Sequence, residues 1–444
     1  MNAPVALVRS GAVLRRLEGT ERLVALGTSR FHCNFQVTSM VEVRGPVTLA
    51  LLEEAALRVQ QQHACLRTEV VNEPGRDDHW VFRETDALIR VEEVLAVRDE
   101  QWREVWDQLA HTPIDGLVWR LVWVRKPGAE VSQLLAGFHH SVSDIGSLSV
   151  FYDSLLRALD DVRAGRPAAA AIVPLHDTLS RVVRSRWPLR AIARIVWHRY
   201  FRRLRTMPFD HQPFIPVEQR RWAGPFRTIE PEAVTALVER CRERGLTLSH
   251  VLSAATLLEV ADRVRVREAL APFDLSLSTS LDLRRAGLPG INPRQMGLMV
   301  TVVQTFYRPR ANDDIWTLGA RVKQAIDLLK ARGEHRDFAL MPNLFSPRLG
   351  AWVARQNHGR PPEGMLLVSN FGRLGDMDHG PFSAQRMFFT ASQAVFGSTF
   401  LMASGTLRGR MFMHLGHPSP ALSEATGASV MDGVLERMGV GQGK

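Results

Sequence analysis

The chain has 444 residues, more than one typical hydrophobic core accommodates, so two domains are expected. Apolar residues make up 45% and charged residues 23%, which excludes a disordered or fibrous chain and is ordinary for a globular protein. The net charge of +10 favours acidic partners such as nucleic acid, a membrane surface, a carrier protein or coenzyme A. An arginine-rich composition can also produce this charge without any such partner.

Three further classes of protein are disfavoured by what the chain lacks. No apolar run reaches the roughly 18 residues that a membrane span needs, and residues 1–13 lack the continuous apolar region of a signal peptide. The three cysteines, Cys33, Cys65 and Cys241, are too far apart for a CxxC metal or redox pair. Scattered thiols are typical of a reducing compartment, so we expect a cytoplasmic protein with no metal site.

Strand and helix patterns alternate over roughly the first 180 residues, which predicts an α/β fold. Residues 34–43 alternate as a strand, and Thr48 is placed to cap a helix over residues 49–61. The apolar face of that helix consists of Leu52, Ala55, Ala56 and Val59. Further strands are predicted at residues 68–71, 80–82, 117–124 and 131–138, followed by a helix over 146–162.

The second half continues the mixture of helices and strands. Its predicted helices cover residues 230–243, 251–261 and 316–329. Its predicted strands cover residues 275–281, 297–307 and 365–370. Residues 386–395 and 399–415 predict two more strands, paired as an antiparallel hairpin around Gly397.

A basic stretch, residues 181–205, lies between the two halves. It contains nine arginines interleaved with Trp187, Trp197, Tyr200 and Phe201, and it predicts an amphipathic helix or a helix pair broken at Pro188. One interpretation is a solvated face of a crossover between domains, and the other is a docking surface for an acidic carrier protein or for phosphates. No helix-turn-helix, zinc-finger or RNP pattern accompanies it, so nucleic acid is the weaker version.

Two adjacent histidines, His139 and His140, stand at the end of the strand over residues 131–138. Neighbours in a strand point to opposite faces, so these two side chains must have different roles. Asp144 follows four residues after His140, directly before a helical pattern. Histidine is the side chain best suited to move a proton near neutral pH, so the motif predicts a proton-transfer site.

The sequence from His139 to Asp144 resembles the HHxxxDG signature of the chloramphenicol-acetyltransferase-like superfamily. That group includes condensation domains of nonribosomal peptide synthetases, polyketide-associated acyltransferases and alcohol acetyltransferases. Three other regions carry the resemblance over nearly the whole chain: residues 63–68 (HACLRT, similar to HPALRT), residues 280–284 with 295–299 (SLDLR and QMGLM), and residues 369–372 (SNFG).

The resemblance implies two α/β lobes in a V-shaped pseudo-dimer with an active-site tunnel between them. Its boundaries would be an N-terminal lobe carrying the motif at 1–180, a basic crossover linker at 181–215 and a C-terminal lobe at 216–444. Carried over residue by residue, His140 is the catalytic histidine. His139 and Asp144 are structural, and Asp144 pairs with Arg284.

The function implied is transfer of an acyl group, other than an aminoacyl group, from a thioester to an alcohol or amine in secondary-metabolite or lipid biosynthesis. The donor would be a phosphopantetheine-linked carrier protein or coenzyme A, with no permanently bound cofactor. We expect a monomer that meets an acyl or peptidyl carrier protein through residues 181–205 and binds no nucleic acid. The alternative is a catalytically silent module of the same fold that docks carrier proteins or other biosynthetic enzymes.

One position departs from the signature, because Ile145 stands where the family has glycine and Gly146 follows one place later. A β-branched residue disfavours positive φ and adds bulk. Gly146 could therefore compensate, the pocket could be reshaped, or activity could be lost. Ile145 and Gly146 are accordingly candidates for substrate binding.

Two pairs of polar residues elsewhere in the chain have a functional and a structural interpretation. Ser369 and Asn370 are substrate-binding candidates that could hydrogen-bond the thioester oxyanion or only end a strand. His414 and His417 lack an acidic third ligand, so a structural role is favoured over a metal site.

Overall fold

The computed structural model of the chain describes most of its residues, and the elements below are taken from it. The described residues are 11–31, 34–76, 78–168, 171–185, 187, 189–201, 215, 219–268, 273–286, 291–344, 346, 348, 365–392 and 399–440.

Sixteen strands are described in these parts of the chain. They are β1 (Val13–Arg16), β2 (Gln36–Arg44), β3 (Thr68–Asn72), β4 (Trp80–Glu84), β5 (Val91–Leu95), β6 (Trp119–Arg125), β7 (Val131–His139), β8 (Arg221–Ala223), β9 (Phe226–Ile229), β10 (Leu275–Asp282), β11 (Val300–Tyr307), β12 (Met365–Arg373), β13 (Asp378–His379), β14 (Phe382–Ala391), β15 (Phe400–Leu407) and β16 (Arg410–Ser419).

Eleven α-helices are described with them. They are α1 (Gly19–Phe31), α2 (Leu49–Gln62), α3 (Trp102–His111), α4 (Ile145–Arg163), α5 (Leu179–Val182), α6 (Leu189–Phe201), α7 (Pro231–Glu243), α8 (Leu248–Glu268), α9 (Ile315–Ala331), α10 (Glu334–Leu340) and α11 (Glu424–Met438). Short 3₁₀ turns at Ala64–Arg67, Asp99–Gln101, Leu283–Ala286 and Met341–Leu344 complete the set.

Most of the predicted elements are present at nearly the predicted bounds, and helix α2 shows why. The Thr48 side chain accepts a hydrogen bond from the Leu51 N–H at 3.3 Å, which satisfies one of the free donors of the first turn. Four residues of its apolar face are buried without measurable exposure, and they are Leu52, Ala55, Ala56 and Val59. The capping residue and the 3.6-residue period therefore specify this helix.

Two large sheets organise the molecule. The first has the order β13-β14-β2-β7-β6-β5, in which only β5 and β6 run parallel. The second has the order β11-β10-β12-β15-β16-β8, with β9 also paired to β16, and β12 runs parallel to both β10 and β15. A separate three-stranded sheet has the order β1-β4-β3. Since helices pack against both large sheets and each sheet has its own apolar core, the predicted α/β class is confirmed.

The hairpin predicted for residues 386–395 and 399–415 is wrong. Strand β14 pairs with β2 in the first sheet, whereas β15 pairs with β16 in the second. The predicted joint at Gly397 lies outside the described residues. Alternating apolar residues indicate a strand but not its partner, so the sequence pattern could not show that these neighbours belong to different sheets. The lobe boundaries at residues 181 and 216 stay a prediction. Strands β13 and β14 follow residue 216 in the chain but belong to the first sheet, whose other strands all precede residue 181.

Aromatic side chains join the two halves where α3 meets the second sheet. The Trp102 ring is stacked on Phe388 at 5.9 Å and meets Phe226 edge-on at 5.0 Å. The Trp106 ring lies 5.1 Å from Phe226 and 5.6 Å from His414. Since these rings come from α3, β9, β14 and β16, we refer to Trp102, Trp106, Phe226, Phe388 and His414 as the junction cluster.

The basic stretch is described in part. It contributes the end of α5 and the whole of α6, whereas Pro188, Arg186, Arg202, Arg203 and Arg205 lie outside the described residues, and with Pro188 the predicted break. Within the described residues no helix is long and apolar enough to cross a bilayer.

Candidate active site

Strand β7 delivers the two histidines to the edge of the first core. It is held on both sides by antiparallel partners, β2 and β6. The His139 N–H donates to the Val118 carbonyl at 2.8 Å, and the His140 N–H donates to the Phe35 carbonyl at 3.2 Å. The chain then leaves the sheet in a turn that ends at Asp144. The backbone of both histidines is therefore held by hydrogen bonds at the point where β7 ends.

His139 is a buried residue with 5% of its surface exposed. Its Nδ1 lies 2.6 Å from the Ser141 hydroxyl. Burial, reinforced by the neighbouring His140, lowers the pKa of His139 to about 4. The ring is therefore neutral at physiological pH and has little access to solvent, which suits a packing role.

His140 differs in being half-buried. Its Nδ1 lies 2.8 Å from the Ser143 carbonyl oxygen. A carbonyl oxygen only accepts hydrogen bonds, so Nδ1 must carry the proton and Nε2 must hold the free lone pair. Burial lowers the pKa of His140, although the Ser143 carbonyl and Asp144 oppose the shift. The ring is thus a neutral base at pH 7 in one defined tautomer.

Asp144 begins helix α4 and binds the two halves of the protein together. Its Oδ1 accepts from the Ser147 N–H at 2.8 Å and from the Ser147 hydroxyl at 2.9 Å. Its Oδ2 accepts from Arg284 Nη1 at 2.9 Å and from the Met299 N–H at 2.8 Å. Burial alone would raise the pKa of Asp144, but the Arg284 guanidinium outweighs it and holds the pKa below its usual range. The carboxylate stays charged.

Arg284 uses every N–H group of its guanidinium. Its acceptors are the carbonyls of Gln295 (3.2 Å) and Gly297 (3.0 Å), the carboxylates of Asp144 (2.9 Å) and Asp282 (3.3 Å), and the hydroxyl of Ser147 (2.9 Å). The side chains of Arg284 and Asp144 are each only 5% exposed. The ion pair implied by the resemblance is therefore present, and it fixes the segment after β10 against the start of α4.

Gly146 makes room for this ion pair. A Cβ on Gly146 would lie 2.7 Å from Arg284 Nη1 and 3.4 Å from Asp144 Oδ1. Such a contact is too short, so a side chain here would push the guanidinium away. The glycine of this motif is thus needed at position 146 for a steric reason rather than a conformational one.

Ile145 is the first residue of α4 and has ordinary helical backbone. Its φ is not positive, so the conformational objection to a β-branched residue at this position does not apply. The side chain is partly buried and packs against the first core. Of the two reasons for concern given by the sequence, the conformational one is therefore removed and the added bulk remains.

A second buried network lies behind the ion pair, and no sequence pattern indicated it. The His176 ring packs against Gly297, where φ is +151° and a Cβ would lie 2.1 Å from the ring. Glu21 binds Arg15 through two hydrogen bonds of 2.7 and 2.8 Å and lies 3.3 Å from His176 Nε2. Burial alone would raise the pKa of Glu21, but Arg15 lowers it to about 2.

This network connects residues more than 150 positions apart with no periodic or motif signal. Only QMGLM, which contains Gly297, marked its neighbourhood in the sequence. Its effect is to hold Gly297, whose carbonyl accepts from Arg284.

Ser369 and Asn370 lie within β12 rather than at its end, and the pairing of this strand with β15 becomes irregular directly after Asn370. No hydrogen bond or ion pair joins them to His139 or His140 among the residues that the structure describes. The Asn370 side-chain oxygen accepts from the Gly372 N–H at 2.9 Å, so its NH₂ group is the part left to donate. The next residue, Phe371, lies 4.6 Å beneath the Arg285 guanidinium, which connects this part of β12 to the turn that carries Arg284.

His414 and His417 are buried and lie in different environments. The His414 ring is 4.6 Å from Phe226 in the junction cluster, whereas His417 packs against Phe400 and Gly427. Burial lowers the pKa of His414 to about 3 and that of His417 to about 4. In the described part of the chain no three His, Cys, Asp or Glu side chains are grouped as metal ligands.

A groove of about 580 Å³ lies on the second half, between α8 and α11, and contains none of the motif residues. Its walls include Glu259, Arg263 and Asp432, whose charges are met by neighbouring side chains. We assign the candidate active site to the histidine network because the groove is lined by no histidine and its Ser429 hydroxyl accepts a hydrogen bond from Arg263.

Comparison with known proteins agrees with the sequence motifs. Residues 227–380 match a family described as "Phthiocerol/phthiodiolone dimycocerosyl transferase C-terminus". Over 229 residues the chain is 24% identical to one of the polypeptides of linear gramicidin synthase from Brevibacillus parabrevis. That match covers 48% of this chain but 4% of the synthase polypeptide, so the chain corresponds to a small part of that relative.

Three solved structures are similar over nearly the whole chain. Polyketide synthase associated protein 5 from Mycobacterium tuberculosis is 16% identical, with a TM-score of 0.69 over 96% of this chain and 98% of that one. Trichothecene 15-O-acetyltransferase from Fusarium sporotrichioides is 13% identical, with a TM-score of 0.75 over 96% and 94%. The first condensation domain of the calcium-dependent antibiotic synthetase is 16% identical, with a TM-score of 0.69 over 98% and 96%.

The likeness spans both halves and includes transferases and a condensation domain. The chain has the chloramphenicol-acetyltransferase-like fold, and the resemblance identified from its motifs is confirmed.

Proposed function

We propose that this chain, a protein of the chloramphenicol-acetyltransferase-like fold, transfers an acyl group from a thioester to an alcohol or amine. The donor would be coenzyme A or a phosphopantetheine-bearing carrier protein, and the setting secondary-metabolite or lipid biosynthesis. His140 acts as the general base. His139, Asp144 and Arg284 hold it in place without touching the reacting atoms.

The reaction needs one proton to move twice. His140 Nε2 takes the proton of the acceptor O–H or N–H while the acceptor attacks the thioester carbonyl. The resulting oxyanion collapses, the C–S bond breaks, and the imidazolium returns the proton to the departing thiolate. The products are an ester or amide and a free thiol, so no covalent acyl-enzyme and no cofactor are required.

The observation that supports this proposal best is the tautomer of His140. Because Nδ1 donates to the Ser143 carbonyl, the unprotonated nitrogen is always Nε2. The lowered pKa keeps that nitrogen free to accept a proton at neutral pH. A merely structural histidine would not need one nitrogen left basic on a half-buried ring.

The oxyanion would be stabilised by donors from the second half. Asn370 is our candidate, because its oxygen is held by the Gly372 N–H and its NH₂ group is left to donate. Ser369 precedes it in β12 and is 7% exposed. Ile145 is our candidate for shaping the substrate pocket, because it adds bulk next to Asp144 where the family signature has glycine.

The catalytically silent docking module is the second candidate. This candidate rests on the replacement of the motif glycine by Ile145. The backbone of Ile145 is helical, so a conformational conflict is no longer a reason to expect lost activity, and only the bulk of the side chain remains. A panel of acyl thioesters, assayed for thiol release beside a binding assay for carrier proteins, separates the two candidates. Binding with no turnover for any donor would favour the docking module.

The His140→Ala variant tests the mechanism. We expect turnover to fall by roughly 10² to 10⁴, the range that a general base contributes, with an unchanged melting temperature. His335→Ala is the matched control, since this ring is partly buried on α10 and its Nδ1 makes no hydrogen bond to any described residue. Near-normal thiol release by His140→Ala would refute His140 as the base.

A further inference from the structure

Two arginines of helix α6 form ion pairs with carboxylates of α10. Arg190 pairs with Asp337 at 2.9 Å and Arg194 pairs with Glu334 at 2.5 Å. Their charges are therefore met within the chain, although the Arg190 side chain is 47% exposed. Ala191 and Ile195 on the same side pack against the cluster that includes Val303, Leu329 and Phe338.

The opposite side of this segment is exposed and apolar. Leu189, Ala193 and Trp197 recur every four residues and so share one face of the helix. Leu189 is 65% exposed and Trp197 is 54% exposed. Trp187, just before the helix, is 64% exposed, and its backbone N–H donates a hydrogen bond to the Ser185 hydroxyl at 3.1 Å. We call Trp187, Leu189, Ala193 and Trp197 the α6 face.

A positive charge without a carboxylate partner stands next to the α6 face. Arg184 precedes Trp187 by three residues, its side chain is exposed, and it has no salt bridge within the described residues. The sequence from 181 to 205 contains nine arginines and no carboxylate.

We propose that the α6 face is a membrane-interface surface that binds anionic lipid. Exposed tryptophan and leucine beside arginine is the composition of segments that lie in the plane of a bilayer surface. The indole rings suit the headgroup level, and the Arg184 guanidinium suits a lipid phosphate. An acidic carrier protein would be recognised through arginine, yet Arg190 and Arg194 are already paired with carboxylates of α10 and the exposed centre is apolar.

This surface does not depend on acyl transfer. It would place the protein at the membrane while the histidine network performs its chemistry elsewhere on the molecule. A His140→Ala variant should therefore bind lipid as the unmodified chain does. Failure of the acyl-transfer proposal and failure of this one are distinguishable for that reason.

Flotation of the full chain with vesicles tests the proposal. We expect the protein to float with phosphatidylcholine vesicles that contain about 30% phosphatidylglycerol and to bind phosphatidylcholine alone more weakly. The double variant Trp187→Ser/Leu189→Ser should lose most of this binding. Arg184→Glu should weaken it by about fivefold and reduce its dependence on salt.

Matched controls separate the α6 face from exposed residues in general. Leu88→Ser/Leu95→Ser removes two leucines that are 65% and 54% exposed on the first half and should bind normally. Arg242→Glu, an exposed arginine of α7, should also bind normally. Equal flotation of Trp187→Ser/Leu189→Ser and the unmodified chain would overturn the proposal. Binding of an acidic carrier protein by the α6 face, with no flotation, would also overturn it.

Discussion

Two adjacent histidines acquire different properties because a strand ends between them. His139 still pairs within the sheet and is buried, and its pKa is lowered to about 4. His140 begins the turn, is half-buried and has one ring nitrogen tied to a carbonyl. The alternation of strand side chains predicted this division of roles, but only the turn shows which nitrogen of His140 is left basic.

The pH dependence of kcat/KM should report the His140 ring. Its pKa in the folded protein lies below its ordinary value of 6.5, and the active form is the neutral one. Activity should therefore be flat through neutral pH and should fall as the pH drops through the folded pKa. A stability control at each pH separates titration from unfolding. A profile that rises toward acid would contradict a general base at this position.

Asp144 should matter for stability as well as for activity. Asp144→Ala leaves the buried Arg284 charge without its main partner, which costs about 3–5 kcal/mol. We expect a lower melting temperature by calorimetry and a loss of turnover. Asp99→Ala, which removes a carboxylate that is 84% exposed, is the control and should change neither. An unchanged melting temperature for Asp144→Ala would argue against the buried ion pair.

Short motifs in the sequence pointed to the residues that the structure brings together, and their catalytic roles stay a prediction. His139, His140, Asp144 and Gly146 stand in one motif, and Arg284 stands in a second one, at residues 280–284. Glu21 and His176 were not found, since their contact depends on the packing of α1 against a distant loop and no local pattern reports that.

At the scale of elements, the N-terminus of α4 combines three requirements in four residues. Asp144 caps the helix and accepts from Arg284, Gly146 gives the guanidinium space, and Ser147 bonds to both ends of the ion pair. Arg284 reaches this turn from the other half of the chain. Its guanidinium fits against the start of α4 because residue 146 has no side chain.

Gly146→Ala tests this arrangement. The added methyl group would lie 2.7 Å from Arg284 Nη1, so we expect lower stability and a strong loss of turnover. Gly375→Ala is the control, because nothing lies within 4 Å of its Cβ position. Ile145→Gly should keep most turnover and lose roughly 1–2 kcal/mol of stability, through lower helix propensity and lost packing against the first core. Normal turnover in Gly146→Ala would show that the guanidinium can shift freely.

Helices and strands with a clear apolar period were predicted well from the sequence, but the strand that β14 pairs with was not. Helix α2 and strand β7 follow directly from apolar spacing and a capping residue. Strand β14 was expected to pair with the next strand along the chain, because sequence neighbours usually pair, but it lies in the other sheet.

At the scale of the whole molecule, two contacts keep the halves in register. One is the ion pair between Asp144 and Arg284, and the other is the junction cluster. His111 adds to the second, since its Nε2 accepts from the Trp222 N–H at 2.6 Å. Burial lowers the pKa of His111 and so preserves this acceptor at neutral pH.

Phe388→Ala should loosen the junction. Removing a buried phenylalanine costs about 3–5 kcal/mol, and here the loss falls between the halves. We expect faster cleavage by a protease under native conditions and reduced turnover. Leu257→Ala, buried within the second core, should lower the melting temperature but leave turnover largely intact at permissive temperature. Identical behaviour of the two variants would mean that the junction is not needed for activity.

The pairing of β14 with β2 also determines when the first sheet can be completed during synthesis. Strand β2, rich in buried apolar residues, has its second neighbour only after the ribosome has passed Ala391. Until then β2 is an open edge, which favours association with other chains. A fragment that stops at residue 215 should therefore aggregate. Supplying residues 216–444 as a separate polypeptide should rescue it only if that piece retains β14.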